Sequence, residues 1–370
     1  MRKENTHAEL IIGNVKLSNG EEMLIKLLRP PAPEYFDPIW DHQIHMNGND
    51  FYKRIFKQRL EGKYAAECTD SYFIGEIDGE IAGLIWYGYP VNGTGVGNWG
   101  DVLTTRKHRG KGVMKTLIDA FMDDFLLSSA KILLCSANPH AMNSYAKIGW
   151  KSILQSSQGG GPSYLIHPNM LEHGTVGKDF REFSNDYFSP GRKTSVYPGS
   201  MRHRHDIDRL LSFSKILQLT DTGENPEKLL SVQDVVLDRR MGITYNIKNY
   251  MDAIFRMEDG NGIVTVMTTD KGNVVGWAFC LSLGSELEKG NKYLDYSIHP
   301  NYASSASLLI NETLCLMKKQ QADTIYAYCP NIDTEKKKAF NECGFHENAR
   351  MKNYCKIDGN LCDMELLCVK

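Results

Sequence analysis

The amino-acid sequence predicts an α+β protein made of two tandem domains of one kind. The first observation is size: 370 residues is about twice the ~100–200 usual for one domain. The second is the order of local signals, strands paired in hairpins and then alternating with helices, in each half of the chain. The third is a repeat. Gly83 and Gly276 lie 193 residues apart, Asp101 and Asp295 194, Asn138 and Asn331 193, and Gly149-Trp150 and Gly344-Phe345 195. An offset that drifts by two residues across strand, strand, helix, strand and helix marks a duplicated domain.

In the first half, strand-like patches at Glu9–Leu17 and Met23–Leu28 precede a break at Pro30, Pro31 and Pro33 and a mixed helical stretch from Tyr35 to Leu60. Ser71–Ile77 and Ile81–Tyr87 are rich in aromatic and β-branched residues and are joined by Asp78-Gly79, a tight-turn signal, so they form a hairpin. Asn98–Thr105 is the next strand and runs into a basic, glycine-bearing segment. Val113, Leu117, Ile118, Phe121, Met122 and Phe125 then follow helical spacing, which predicts a helix over Lys111–Leu127 with one buried face. Lys131–Ser136 reads as a buried strand and Pro139–Ile148 as a short helix ended by Gly149.

Residues 171–192 turn polar and irregular and divide the chain into an N-terminal domain at 1–170 and a C-terminal domain at 193–370. The pattern then restarts. A helix is expected near Asp206–Leu217, a hairpin from Ile263–Thr268 and Val274–Leu283, a strand at Lys292–His299, a helix at Ser304–Lys319, a strand at Thr324–Cys329 and a helix at Glu335–Cys343.

Composition removes several classes of function. With 43 Lys and Arg against 45 Asp and Glu, the surface as a whole is not built to grip nucleic acid or an anionic membrane, and any anion site must be local. The longest apolar candidate, Val274–Leu283, is strand length and far short of the ~20 residues that span a bilayer. Met1–Leu10 lacks the apolar core of an export signal. Nine cysteines, seven of them after residue 200 and none in a CxxC pair, suit packed thiols in a reducing cytoplasm rather than a disulfide framework.

The informative chemistry lies in Asp101–Lys115. A strand ends, Gly110 and Gly112 let the backbone turn tightly, and a helix begins at once. Backbone N–H groups at a helix start have no internal acceptor, and with the helix dipole they cradle phosphate oxygens. From Thr105 to Lys115 there are five Lys or Arg and no acid. A solvated basic turn is the plain alternative. The segment matches neither GxxxxGK[ST] nor a GxGxxG after the first strand of a βαβ unit.

Arg109-Gly110-Lys111-Gly112-Val113-Met114 resembles the acyl-CoA loop of the Gcn5-related N-acetyltransferases (GNAT superfamily), whose pattern is Arg or Gln, two residues, Gly, one residue, then Gly or Ala. It departs at Met114, a residue expected to narrow the approach to the pyrophosphate. Asn138-Pro-His-Ala141-Met-Asn-Ser-Tyr145-Ala-Lys-Ile-Gly149-Trp150 is similar to the family's second signature.

The resemblance implies two domains, each a mixed, mostly antiparallel twisted sheet flanked by helices, and an activity: transfer of an acyl group, foremost acetyl, from acetyl-CoA or another acyl-CoA to an amine of a small molecule or peptide. It implies that backbone groups near Leu103 and Thr104 hold the pantetheine arm and polarise the thioester carbonyl. It further implies that Arg109, Gly110, Lys111, Gly112, Val113, Met114 and Lys115 take the pyrophosphate and Asn138 contacts the cofactor. Tyr145 becomes the general acid for the departing thiolate, against the plainer role of a core aromatic. Asp101 is the candidate base for the acceptor amine, with Glu76, a water chain and the carboxylate of Lys370 as rivals and with Asp295 in the other half as a reason for doubt.

His42 and His45, and His203 and His205, are spaced for parts of a metal site but bring no third ligand, so no metal is expected; for His42 and His45 the resemblance implies a wall of the acceptor site. In the second half, His299–Leu309 has neither the basic residues nor the two glycines, and Phe340 stands where Tyr145 does, so the fold is expected there without CoA binding. Two other functions stay open on sequence: a CoA-binding sensor or scaffold without turnover, and aminoacyl transfer from a charged tRNA. Neither a nucleic acid nor a membrane is otherwise expected as a partner, and the sequence is silent on oligomeric state.

Overall fold

The computed structural model describes residues 9–154, 159–221, 247, 249–282, 290–318, 324–357 and 360–370. The start of the chain before Glu9, the region after Asp221, and the expected strand and helix ends at Leu283 and Lys319 lie outside them. Contacts divide the chain into two units, one of residues 1–152 with 162–178 and one of residues 153–161 with 179–370.

The first unit runs β1 (Glu9–Lys16), β2 (Glu22–Leu28), α1 (Phe36–Asn47), α2 (Asp50–Leu60), β3 (Cys68–Ile77), β4 (Glu80–Pro90), β5 (Val96–Thr104), α3 (Val113–Phe125), β6 (Ile132–Ala137), α4 (Pro139–Tyr145), β7 (Lys151–Ser152), β8 (Gly161–Ile166) and α5 (Pro168–Glu172). The helical stretch after the prolines is two helices because Asn49 starts a second one, its side chain accepting the Tyr52 N–H at 3.1 Å. In the β3–β4 turn Asp78 and Gly79 both take positive φ, 51° and 78°, the mirror-image turn whose twist suits a hairpin.

The sheet order is β1-β2-β3-β4-β5-β6-β8-β7. Alternation along the strands gives it two apolar faces. Phe73, Ile85 and Tyr87 meet Val113, Leu117, Ile118, Phe121 and Phe125 of α3. Tyr72, Ile74, Leu84 and Trp86 meet Ile39, Trp40, Phe56 and Leu60 of α1 and α2. At roughly 1.5–3 kcal/mol per buried large side chain, these stripes hold the helices on their faces. The parallel pairing of β5 and β6 is short: they are in register only from Val96, Gly97 and Asn98 to Ile132, Leu133 and Leu134.

The second unit runs α6 (Phe180–Tyr187), β9 (Thr194–Pro198), α7 (Ser212–Asp221), α8 (Tyr250–Glu258), β10 (Gly262–Thr269), β11 (Val274–Leu281), β12 (Asn291–Ile298), α9 (Ala306–Lys318), β13 (Thr324–Pro330), α10 (Thr334–Glu342), β14 (His346–Ile357) and β15 (Asn360–Val369). A π-helical turn at Asp206–Leu211 leads into α7, and a 3₁₀ segment at Pro300–Ser305 leads into α9. The sheet order β14-β15-β13-β12-β11-β10-β9 is that of the first sheet from β7 to β2. Its parallel pair is equally short, Asn291, Lys292 and Tyr293 against Thr324, Ile325 and Tyr326. The architecture is α+β with two tandem mixed sheets.

The segment 171–192 is not irregular throughout. Asp179 accepts the Glu182 N–H at 2.9 Å and so caps α6, whose Phe180, Phe183 and Tyr187 are buried. The polar residues between these aromatics mask a period of three and four that carries the buried face.

Candidate active site

Beyond Asn98 and Leu134 the strands β5 and β6 part. Six residues of β5, Trp99–Thr104, and three of β6, Cys135–Ala137, extend past the last paired position. On its other edge β5 stays paired with β4, but with a bulge: Gly100 stands opposite Trp86 and Leu103 opposite Leu84, so Asp101 and Val102 together face Ile85. Asp101 sits at φ 55°, a left-handed conformation that costs a non-glycine residue roughly 1–2 kcal/mol. After the bulge the Thr105 N–H donates to Ala82 O at 2.9 Å. By antiparallel alternation the N–H and C=O of Leu103 therefore face β4 and those of Thr104 face the gap. Of the two backbone positions implicated by sequence, only Thr104 presents its groups to the opening; the Leu103 carbonyl also lies 3.3 Å from His42 Nε2.

The mouth of the gap is the start of α3. Gly110 and Gly112 have φ of 77° and 93°, and a Cβ on Gly110 would meet nothing within 4 Å. The glycines are needed for the backbone path, not for room inside the protein. The first intrahelical bond is Thr116 N–H to Gly112 O at 3.1 Å, and no side chain caps the helix, which leaves the N–H groups of Gly112, Val113, Met114 and Lys115 as the donors of an anion cradle. Met114 does not narrow it, because its side chain packs half-buried against the core.

The five basic residues divide by their partners. Lys107 pairs with Glu80, Lys111 with Glu21 at 2.8 Å and Lys115 with Asp119 at 2.8 Å. Lys111 is further tied down by Ser18, whose hydroxyl donates to its carbonyl at 2.9 Å. Its ammonium holds the Glu21 carboxyl below the ordinary range, so Lys111 secures the β1–β2 turn to the loop. Arg106 and Arg109 are exposed and enter no ion pair among the described residues. Arg109 Nε donates to Thr104 O at 3.2 Å, which sets its guanidinium at the end of β5 where the cradle opens.

Tyr145 ends α4 at the vertex of the gap. Its ring lies 5.8 Å from that of Trp99 and 5.9 Å from that of Trp150. Trp99 is the first β5 residue past the paired stretch, and Cys135, which also bears on the phenol, is the first of β6. Burial pushes the Tyr145 hydroxyl up to about 12; the Trp99 indole opposes the rise and the Cys135 thiol adds to it. The phenol thus keeps its proton through neutral and mildly alkaline pH. Asn138 is the N-cap of α4, its Oδ1 accepting the Ala141 N–H at 2.8 Å, so that oxygen is committed to the helix.

Asp101 is held from the α1–α2 side. Gln43 Nε2 donates to its carbonyl oxygen at 2.8 Å, and Arg59 Nη1 lies 3.5 Å from its carboxylate. Arg59 was not foreseen, although Ile55, Phe56, Arg59 and Leu60 share a buried face and a cation within an apolar stripe is a legible signal. His42 is buried and desolvation lowers its pKa, so the imidazole is neutral. Among the described residues no group of three or more metal-binding side chains occurs, and none forms a membrane-length apolar helix.

The second unit keeps the parting but differs in the residues beside it. Asp295 stands opposite Phe279, three residues past Gly276 as Trp86 is three past Gly83, so its register equivalent is Gly100, not Asp101. β12 lacks the bulge residue altogether. Phe340 and Tyr145 are equivalent: Trp150 N–H donates to Tyr145 O at 3.2 Å and Phe345 N–H to Phe340 O at 3.1 Å, each across a left-handed glycine.

Residues 27–150 match the acetyltransferase (GNAT) family model. No curated protein matches the chain. Solved structures similar to it include the GNAT-family acetyltransferase from Streptococcus pneumoniae (11% identity, 48% of this chain and 99% of that one, TM-score 0.36). Others are the ribosomal-protein-alanine N-acetyltransferase from Brucella melitensis (14%, 47% and 98%, 0.35) and spermidine N-acetyltransferase from Vibrio cholerae in complex with CoA and spermine (15%, 48% and 94%, 0.34). The stretch that carries the parted strands and the glycine turn, residues 27–150, is thus a domain of the acetyltransferase (GNAT) family type, whose reaction is acyl transfer.

Proposed function

We propose that the protein transfers an acyl group, foremost acetyl, from acyl-CoA to an amine of a small molecule or peptide, with the N-terminal domain, residues 1–170, as the catalytic one. The observation that carries this reading is the alignment of three features along one opening: the parted β5 and β6, the uncapped start of α3 with Arg109 at its mouth, and a protonated phenol at its vertex. Acyl-CoA supplies an activated thioester carbonyl. The N–H groups of Gly112–Lys115 and Arg109 bind the pyrophosphate. The Thr104 N–H faces the gap and is the donor available to a carbonyl oxygen there. Tyr145 holds a proton at its hydroxyl for the leaving sulfur, and Asp101 accepts one from the acceptor amine. The 193–370 domain, with neither arginines nor glycines at the equivalent turn, takes no part in CoA binding. The eight cysteines whose side chains are described form no disulfide, which suits a cytoplasmic protein.

Incubation with acetyl-CoA and an amine panel, read by mass spectrometry alongside thiol release and CoA calorimetry, tests the reading. One amine gaining an acyl group with equal release of thiol is expected. CoA binding without transfer to any amine would favour a sensor. Absence of CoA binding would overturn the assignment and leave a tRNA-dependent transferase to be tested.

A further inference from the structure

Arg59 is 7% exposed, and its guanidinium carbon sits 4.0 Å from the centre of the Trp86 ring. Two carboxylates share this one cation. Asp70 on β3 lies 3.8 Å from Nε, and Asp101 on the β5 bulge lies 3.5 Å from Nη1. They are not equivalent. Asp70 Oδ1 also accepts the Trp86 indole N–H at 2.8 Å and its side chain is 5% exposed, whereas that of Asp101 is 16% exposed. Asp101 is the looser and more accessible partner of the shared guanidinium.

We propose that Arg59 is a positioning residue for the acceptor-side base: clamped on Trp86 and anchored by Asp70, it holds the Asp101 carboxylate ionised and oriented at the bulge. The inference rests on the acyl-transfer reading above. An isolated aspartate half withdrawn from water takes up a proton readily, and a protonated carboxyl cannot accept another from an ammonium. A single cation placed against it prevents this. Sharing that cation with Asp70 keeps the stabilisation partial, so that an Asp101 O–H bond can still form as the amine N–H bond breaks. Tyr72 from β3, whose phenol burial pushes well above its ordinary range, and the neutral His42 from α1 at the Leu103 carbonyl also face this cluster. The geometry also accounts for the left-handed Asp101: at the bulge its carboxylate meets Arg59 of α2 while its backbone carbonyl accepts from Gln43 of α1.

The test is a ¹³C-carboxyl NMR titration of the full chain, with the Asp101 signal assigned by its loss in Asp101→Asn, a substitution the left-handed backbone tolerates. Two variants move Asp101 in opposite directions. Arg59→Met removes the cation and raises its midpoint by one pH unit or more, a tenfold change in proton affinity, with Arg59→Lys shifting it less. Asp70→Asn removes the competing carboxylate and lowers the midpoint, and it keeps the proposal falsifiable where Arg59→Met fails to fold. In kcat/KM for the amine the acid limb follows these midpoints, while affinity for CoA stays within about threefold. Midpoints that do not move, or move together, overturn the proposal, as does an acid limb that ignores them. Absence of CoA binding in calorimetry of the unaltered protein would strike instead at the reading beneath it.

Discussion

Tyr145→Phe separates chemistry from packing because the protein already contains the control. Phe340 occupies the equivalent place in the second domain, fully buried, with ring distances of 5.6 Å to Tyr296 and 5.0 Å to Phe345 that match the 5.8 and 5.9 Å around Tyr145. An apolar ring of that size is therefore compatible with the fold at this site. Removing the hydroxyl forfeits at most about 1 kcal/mol of stability. Its rate effect is larger if the phenol protonates the leaving sulfur. General acids contribute ~10²–10⁴ in rate, or about 2.7–5.5 kcal/mol of barrier, and a hydroxyl held at about 12 is protonated over the whole working range. The assay is thiol release under saturating acetyl-CoA and amine, with the thermal midpoint and CoA affinity measured on the same samples. The expected result is a kcat lower by 10² or more, an unchanged midpoint and CoA binding within about threefold. A kcat within threefold of the parent would make Tyr145 a core aromatic and nothing more. A parallel fall in kcat and CoA affinity would assign the loss to packing at the vertex.

Gly112→Ala costs about 1–2 kcal/mol of stability, because φ is 93° and its Cβ meets only Ser18 Oγ at 3.9 Å, so the penalty is that of the backbone. Gly112→Asp adds a negative charge at the cradle and weakens CoA by between ~5-fold and ~10³-fold, from about 1–4 kcal/mol per charge pair near 4 Å; equal CoA affinities for the two variants in calorimetry would refute the cradle. Burial lowers His203 to about 4 and His299 to about 3, both from an ordinary 6.5. Their folded values lie below the unfolded ones, so the stability they contribute is present above pH ~6.5 and is lost as pH falls toward 4. Melting curves at pH 7.5 and 5 are expected to separate more for the parent than for a double His→Gln variant, and equal separation would discount both residues. Lys336, 4% exposed and 2.5 Å from Asp295, forms a buried pair whose disruption by Lys336→Met costs roughly 3–5 kcal/mol in urea unfolding. The joint Asp295→Leu/Lys336→Met change is expected to recover more than half of that, and no recovery would mean the pair is not the source of the loss.

The Asp78-Gly79 hairpin, the α3 stripe and the repeat itself were legible because they depend on local signals that side chains carry: a turn dipeptide between two nearly continuously buried runs, a helical period and a steady offset. What escaped depends on register and on distant partners. Asp101 and Asp295 align in sequence because a constant offset hides one inserted residue; only strand pairing reveals that the first domain has a bulge and the second has none. Lys111 reads as a phosphate ligand from its place in the loop, yet Glu21, 90 residues away, holds its ammonium. Arg59 carried a visible signal, a cation within an apolar helical stripe, but its meaning requires two carboxylates on different strands. The final hairpin of β14 and β15 was missed outright, since its exposed residues interrupt any simple alternation.

The comparison of the two domains separates what the fold supplies from what the site adds. Parting two parallel strands leaves backbone groups without their usual ladder partners, and such groups must find others. In the second domain side chains answer this locally. Asp295 accepts the N–H of Tyr296 at 2.8 Å and the ammonium of Lys336 at 2.5 Å, so an ion pair of the domain's own residues sits at the parting. In the first domain the register-equivalent position is Gly100, which has no side chain to offer, and α4 carries no lysine or arginine. The same strand position therefore carries a carboxylate paired with an ammonium in one copy and, in the other, a glycine whose Cβ would meet the Trp86 ring at 3.5 Å. A bulge that holds Asp101 at positive φ and two left-handed glycines that start α3 without a side-chain cap each cost stability. Three positions, Gly100, the inserted residue of the bulge and Gly112, therefore separate the first copy of the fold from the second, and they are the positions on which the proposed acyl transfer rests.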